Sequence, residues 1–452
     1  MEIVILAAGQ GRRMHSDLPK VLHTLAGKPM LAHVIECARA LSPQKIHLVT
    51  GYGTEQVRTA VDDAHICWHL QQHQQGTGHA VQQALPEVAD EHLVLVLYGD
   101  VPLLEPQTLQ TMLQGLSDCD LMLLTANFEE TADLGRIVRD SQGRVVRIVE
   151  RRDADPATLA LREMNTGVLA ARAGQLKHWL GQVGNDNAQQ EYYLTDCIAL
   201  AAGGGHTVKA LVCEDGEATL GINDKSQLAR AERICQRRAA ARLMERGVTL
   251  MDPERIDIRG ELQVGRDVVI DVNAVFEGQN RLGDGVRIGA NTVLINTTVG
   301  DGTQIHAHSH IEEAQIGSAC RLGPFARIRP QARLGDGAQV GNFVEIKKSD
   351  IGAGSKINHL SYIGDTQLGE QVNVGAGTIT CNYDGARKHR TIIGDHVFVG
   401  SDTQFVAPVI IGKGATIGAG STITKDVAAG SLAVARSKQE AVENWKRPEK
   451  KS

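Results

Sequence analysis

The sequence predicts an α/β domain with a doubly wound, mostly parallel sheet, joined through a helix to a stacked β-coil. Three observations carry this. Between Val264 and Ile423 an apolar residue recurs about every six positions, very often followed by glycine. The first half alternates strand-like and helical apolar patterns, and opens with an unalternating apolar run that ends in a glycine loop. Glycines concentrate in the second half, which places a change of composition near residue 250 of a 452-residue chain too long for one core.

The opening run, Ile3-Val4-Ile5-Leu6, leads into Ala7-Ala8-Gly9-Gln10-Gly11, the way a parallel sheet buried on both faces presents a phosphate site. Met30 to Leu41 then reads as a helix, Ile46 to Thr50 as a strand, Ala80 to Ala84 as helix, and Leu93 to Tyr98 as a fully apolar strand. That alternation places a ligand at the carboxyl ends of the strands. Two generic phosphate motifs fail. A dinucleotide fingerprint needs glycine where Met14 stands, and a P-loop needs a Gly-Lys-Ser/Thr that is absent.

What stands instead is Leu6-Ala7-Ala8-Gly9-Gln10-Gly11-Arg12-Arg13-Met14 followed by Pro19-Lys20, which resembles the signature of sugar-nucleotide pyrophosphorylases. These enzymes join a sugar 1-phosphate to a nucleoside triphosphate. Two polyanions must approach, so loop N–H groups, Arg13 and Lys20 can offset their repulsion and the charge developing at phosphorus. Asp100, at the end of the strand closing in Tyr98-Gly99-Asp100, either caps the turn at Val101-Pro102 or binds a hard cation. Asn223-Asp224 reads as a helix N-cap. The resemblance instead implies that Asp100 and Asn223 bind Mg²⁺. It further implies that Leu6, Ala7, Ala8, Gly9, Lys20, Tyr98 and Gly99 line the nucleotide site, with Gln71, Gly76 and Thr77 at the uracil. Gly135, Glu150 and Asn165 match positions that contact the sugar and its phosphate.

Residues 224–247 are charged and alanine-rich, with no glycine before Gly247, and read as a connecting helix and spacer with glycine at its C-terminal cap. In the ladder that follows, a strand's side-chain period of two lets a six-residue unit return the same face inward. Three units close a coil of roughly eighteen residues, and stacked coils bury an aliphatic column. Slips to five, as at Leu294/Val299, Ile346/Ile351 and Ile363/Leu368, read as coils shortened by a residue, and glycine beside the rung as the residue that permits the corner.

Thr380-Cys381-Asn382-Tyr383-Asp384-Gly385-Ala386-Arg387-Lys388-His389 interrupts the ladder with polar and basic residues that have no packing role in a coil. Loops projecting from a rigid scaffold commonly carry function. With this loop, the resemblance extends along essentially the whole chain to a family of bifunctional bacterial enzymes, glucosamine-1-phosphate acetyltransferases that are also N-acetylglucosamine-1-phosphate uridylyltransferases. It implies a Rossmann-like nucleotidyltransferase domain (1–225), a helical linker (226–246) and a left-handed parallel β-helix of hexapeptide repeats (247–452). His359 matches the acetyl-transfer base, a role that suits a side chain titrating near neutrality. Arg329, Lys347 and Lys388 match residues holding the sugar phosphate, and Tyr362 and Asn373 residues holding the sugar. Asn382 and Tyr383 match positions beside the amine and thioester, and Ala376, Ser401, Ala419 and Arg436 positions along the coenzyme A groove. The implied co-substrates are acetyl-CoA and UTP, the sugar substrates glucosamine 1-phosphate and N-acetylglucosamine 1-phosphate, and the assembly a homotrimer. The alternative is a pyrophosphorylase whose coil domain only regulates or trimerises.

Bulk properties exclude other classes. A net charge of −6 and 3% aromatic residues oppose a nucleic-acid surface. The eight scattered cysteines show no zinc or redox spacing and read as reduced thiols of a cytoplasmic protein. No run approaches the length of a membrane span, the N-terminus reads as a buried strand instead of a signal peptide, and the basic tail Lys446 to Lys451 reads as a solvated end. His306, His308 and His310 alternate as metal ligands on one strand would, but such alternation puts all three on one side, and they are read as exposed.

Overall fold

The computed structural model describes residues 1–129, 134–448 and 450, so Glu449 and Lys451 of the basic tail lie outside the described residues. The chain divides into two compact units between Cys235 and Gln236. In the first, strand β1 (Glu2–Ala7) is followed by helix α1 (Met30–Ala40), β2 (Ile46–Thr50), β3 (Ile66–Leu70), α2 (Thr77–Ala84), β4 (Leu93–Tyr98), β5 (Leu121–Asn127), β6 (Arg136–Arg139), β7 (Val145–Val149), β8 (Glu163–Arg172), α3 (Asp196–Gly203) and β9 (Val208–Cys213). The sheet runs β9-β5-β8-β4-β1-β2-β3, with the β6–β7 hairpin attached to β8. β1 pairs in parallel with both β2 and β4, whereas β8 runs antiparallel between β4 and β5. All six residues of β1 are buried: Ile3 to Ala7 form an apolar run without alternation because both faces of the sheet are packed, and Glu2 is buried against His47 and His92. The neighbouring ends of β1 and β4 are joined by the Gly99 N–H donating to the Leu6 carbonyl, 2.9 Å, which sets the glycine loop beside Asp100.

Helix α4 (Lys225–Glu245) is more than the spacer its charge suggests. Ala231 packs into a core cluster with Leu25, Met30 and Ile222, and Ala240 and Leu243 join the solenoid's apolar column. Its start is capped by Asp224, whose carboxylate accepts the Gln227 N–H at 2.8 Å, and Gly247 past its end has φ +87°.

The second unit is a parallel β-helix. Its strands form an 11-stranded and a 17-stranded parallel sheet, and successive coils pair rung on rung: Ile270 with Ile288, Ile346 with Ile363, Phe405 with Ile423. The rungs from Ile270 to Ile423 lie in one continuous buried cluster, with Val264 partly buried against it. One coil is far longer than the rest. Leu368 pairs with Ile393, Val374 with Val399 and Thr380 with Phe405, and the extra chain lies between the strands Ile379–Cys381 and Thr391–Ile393, so Thr380 and Cys381, read from the sequence as part of the Thr380–His389 interruption, belong to the ladder.

Glycine's part in the coil differs from expectation. A Cβ on Gly283, directly after the rung Leu282, would lie 2.9 Å from the Asp301 backbone nitrogen and closer still to its carboxylate. Close approach of the next coil is therefore what demands glycine there. The left-handed corner falls elsewhere, on Gly285 (φ +68°) or on side-chain-bearing residues such as Asn273, Asn291, His308, Phe325, Phe343 and Leu360. That geometry also corrects the histidine triplet. His308 occupies a corner between the strand ending at Ile305 and the one starting at His310, so the three do not share a strand, and His308 stacks on Phe325 at 4.9 Å.

Candidate functional site

In the first unit, the glycine loop leaves β1 and turns at Gly11 (φ +65°), where a Cβ would sit 2.5 Å from that of Lys20. The lack of a side chain there leaves room for the Lys20 stem. Its ammonium bonds the Asp100 carboxylate and the Asn223 amide oxygen, the latter at 3.0 Å. Both Lys20 and Asp100 are more than four-fifths buried. Asp100 thus turns toward a cation instead of capping its own turn, and Asp224 does the capping that frees Asn223. Gly9 has open space where a side chain would be, and Arg13 is exposed on the short 3-10 turn Arg12–Met14.

The remaining first-unit residues gather around Tyr98, which ends β4. Its ring lies 2.6 Å from where a Cβ on Gly167 would stand, so only glycine admits it, and its hydroxyl bonds Thr77. Burial pushes that hydroxyl's pKa well up, and the carboxylates of Glu150 and Asp100 push the same way. Glu150 is itself raised, by burial first, against the Thr195 hydroxyl that donates to it at 3.0 Å. Gly135 abuts Glu150, and its carbonyl accepts the Asn165 N–H at 2.8 Å. Gln71, buried, donates to the Gly76 carbonyl at 3.0 Å, at the start of α2. Thr195 was missed in the sequence because it lies far along the chain with no motif around it.

In the second unit the residues sort into two columns. Down one corner, hydrogen bonds link adjacent coils in order: Gly377 N–H to the His359 carbonyl (3.4 Å), Asp402 N–H to Ala376 (2.7 Å), Gly420 N–H to Ser401 (2.8 Å) and the Arg436 guanidinium to the Ala419 carbonyl (2.6 Å). His359, Ala376, Ser401, Ala419 and Arg436 are therefore one vertical line. Asn373 lies exposed on the strand just before Ala376.

The other column is cationic. Arg329 and Lys347 each follow a buried rung, as their sequence position implies, and the Lys347 amine has Lys388 of the loop as a close neighbour. The neighbouring Lys347 ammonium holds the Lys388 amine below its ordinary pKa. Arg329 is held by Glu345 at 2.8 Å. Asp365, which carries no motif of its own, ties the column to the loop: it lies 3.6 Å from the Lys347 ammonium and accepts the Asn382 amide at 2.6 Å. Asn382 also reaches the Tyr362 hydroxyl at 3.5 Å. The loop holds its own shape through the Asp384 carboxylate, which accepts the Ala386 and Arg387 N–H groups and the His389 ring. Tyr383 is exposed, its hydroxyl donating to Gly385.

Residues 3–192 match the MobA-like NTP transferase domain, residues 390–425 the bacterial transferase hexapeptide of six repeats, and residues 279–307 the hexapeptide repeat of succinyl-transferase. The chain is 56% identical over 450 residues to the bifunctional protein GlmU of Azoarcus sp. (strain BH72), covering 100% of both chains. It is 55% identical over 457 residues to that of Bordetella parapertussis, again over 100% of each. The chain belongs to the bifunctional GlmU family. It is accordingly a uridylyltransferase and an acetyltransferase that makes UDP-N-acetylglucosamine, with nucleotide and acetyl-CoA as substrates. This favours a catalytic over a purely regulatory GlmU coil domain.

One further cluster has metal-like proximity. Among the described residues, ligand atoms of His47, His69 and Glu87 lie within 4.8 Å of one another. Both His47 nitrogens are already committed, to Glu2 at 2.5 Å and to His69 at 2.9 Å, and the other Glu2 oxygen bonds His92 at 2.6 Å. This is a hydrogen-bonded chain with no nitrogen of His47 left to bind an ion. Among the described residues no helix is long and apolar enough to cross a membrane.

Proposed function

We propose that the two activities are carried by separate sites, one in each unit, through the residues described above. In the second unit, Arg329, Lys347 and Lys388 bind the phosphate of glucosamine 1-phosphate. Tyr362 and Asn373 hold the sugar, and Asn382 and Tyr383 lie beside the reacting groups. His359 accepts a proton from the attacking amine, whose nitrogen bonds to the thioester carbonyl carbon. Collapse of the tetrahedral intermediate breaks the carbon–sulfur bond, and the proton passes from His359 to the departing coenzyme A thiolate. The coenzyme lies along Ala376, Ser401, Ala419 and Arg436. The observation that supports this most is the line of hydrogen-bonded coils from His359 to Arg436.

In the first unit, an oxygen of N-acetylglucosamine 1-phosphate bonds to the α-phosphorus of UTP while the bond to the β-phosphate breaks and pyrophosphate leaves. The attacking oxygen is already ionised, so no general base is required, and positioning with electrostatics suffices. Leu6, Ala7, Ala8, Gly9, Tyr98 and Gly99 border the nucleotide, Gln71, Gly76 and Thr77 the uracil. Gly135, Glu150 and Asn165 border the sugar and its phosphate. Arg13 and Lys20 offset the phosphate charge. Asp100 and Asn223 fit a magnesium ion, because they aim two oxygens at one point that the Lys20 ammonium also reaches. When bound, that ion supplies neutralisation of the phosphate oxygens.

The assembly is a homotrimer and the location cytoplasmic. Hexapeptide-repeat domains support oligomerisation, and the eight free cysteines suit a reducing compartment. Native mass measurement tests the trimer. The site assignment is tested by thiol release from acetyl-CoA with glucosamine 1-phosphate. His359→Ala should abolish it and Asp100→Asn should leave it intact; release persisting in His359→Ala overturns the assignment.

A further inference from the structure

The strand that ends in His359, Lys356–His359, has four residues, and so does its partner Gln339–Asn342 on the preceding coil. Their neighbours in the same sheet, Arg321–Leu322 and Asn373–Val374, have two. The ladder is extended locally, and the extension ends with Asn342 opposite His359. Gly341 permits this. A Cβ there would lie 2.0 Å from the Asn358 carbonyl oxygen, so any side chain would force the strands apart just before this pair. The backbone on either side is pinned, with the Leu360 N–H donating to the Asn342 carbonyl at 3.1 Å and the Ser361 hydroxyl to the His359 carbonyl at 2.8 Å. Within this frame the Asn342 side-chain oxygen lies 3.1 Å from Nδ1 of His359.

We infer that Asn342 is a positioning residue for acetyl transfer, fixing His359 in the tautomer that leaves Nε2 unprotonated toward the substrate amine. The inference rests on His359 as the base. An amide oxygen is an acceptor only, so Nδ1 carries the proton that it binds, and the lone pair falls on Nε2. The opposite amide orientation would donate to Nδ1 and drive the proton onto Nε2, which could then accept nothing from an amine. The same bond holds the ring plane while the proton moves through Nε2, and Nδ1–H bonded to a neutral oxygen tolerates both the neutral and the protonated ring.

The test uses the full chain with three substitutions, following both activities. Asn342→Leu removes the acceptor at similar volume and should lower kcat for acetyl transfer by roughly 10- to 100-fold, the usual effect of losing such a supporting partner. KM for glucosamine 1-phosphate and acetyl-CoA should stay near the wild-type values, and uridylyl transfer in the same preparations should be unchanged. Asn342→Asp keeps an acceptor at the same place and should recover most of kcat. A purely structural role predicts no such rescue. Wild-type kcat in Asn342→Leu, or an equal loss in Asn342→Asp and Asn342→Leu, overturns the inference. His359→Gln separates this from its premise: acetyl transfer surviving that change overturns the base assignment itself.

Discussion

Lys20 makes one counter-intuitive prediction. Its ammonium already occupies the approach to Asp100 and Asn223, so a divalent ion reaching both oxygens must displace it. Hydrogen bonds to charged groups contribute about 1.5–3 kcal/mol, and this pair is mostly buried, so screening takes little away. Replacing Lys20 by Met removes that competition and should tighten nucleotide-free binding of Mn²⁺ by roughly 10- to 100-fold, since each 1.4 kcal/mol is about a factor of ten. Uridylyl transfer should nevertheless fall, because Lys20 no longer offsets phosphate charge. Electron paramagnetic resonance of free Mn²⁺ measures the affinity without reference to turnover. Equal or weaker Mn²⁺ binding in Lys20→Met would refute the idea that lysine and metal share these oxygens.

Three other outcomes follow from the same structure. Glu150 is an acid whose folded pKa is raised by burial, so its ionisation opposes folding above its ordinary value of 4.5; Glu150→Gln should raise the melting temperature at pH 7 while lowering uridylyl transfer, and a lower melting temperature would count against it. Buried His69 is held below its ordinary value of 6.5, by burial first and by His47, with Glu87 opposing. The unfolded chain then binds the extra proton, so stability should fall as pH drops below about 6.5, and His69→Gln should flatten that slope. Ile346 is fully buried in the solenoid column, and Ile346→Ala should cost about 2–5 kcal/mol, read as a lower urea midpoint for acetyl transfer than for uridylyl transfer.

The sequence made the architecture unusually legible, because the solenoid repeats one physical demand. Almost every rung is apolar, and Ile346, Ile363 and Phe405 are buried as their phase requires; Thr380, a polar rung paired with Phe405, is buried with its hydroxyl accepting the Gly364 N–H. The strand Leu93–Tyr98 was legible for a similar reason, since a strand buried on both faces has no polar position to confuse. Glycine was legible in place but not in cause. Gly283 answers to the neighbouring coil, a contact across 17 or 18 residues that local reasoning about corners does not see.

Site residues behaved in the same way. Lys20, Asp100 and Asn223 carry motif context, yet their convergence through one ammonium is a tertiary fact. Asp365, Asn342 and Thr195 had no signal at all, for each is an ordinary polar residue whose partner lies 14 or more positions away. Asn342 could have been suspected only by laying successive coils side by side and asking what stands above His359. The alternation of His306, His308 and His310 misled because a period of two was read across a corner where the strand had ended.

Two independent sites on one chain should exchange a free intermediate. Mixing two full-length variants, His359→Ala and Asp100→Asn, with glucosamine 1-phosphate, acetyl-CoA, UTP and Mg²⁺, and measuring UDP-N-acetylglucosamine, tests this. Each variant alone should make none, and the mixture should restore its formation as N-acetylglucosamine 1-phosphate passes from one variant to the other. Product from either variant alone, or none from the mixture, would contradict the account.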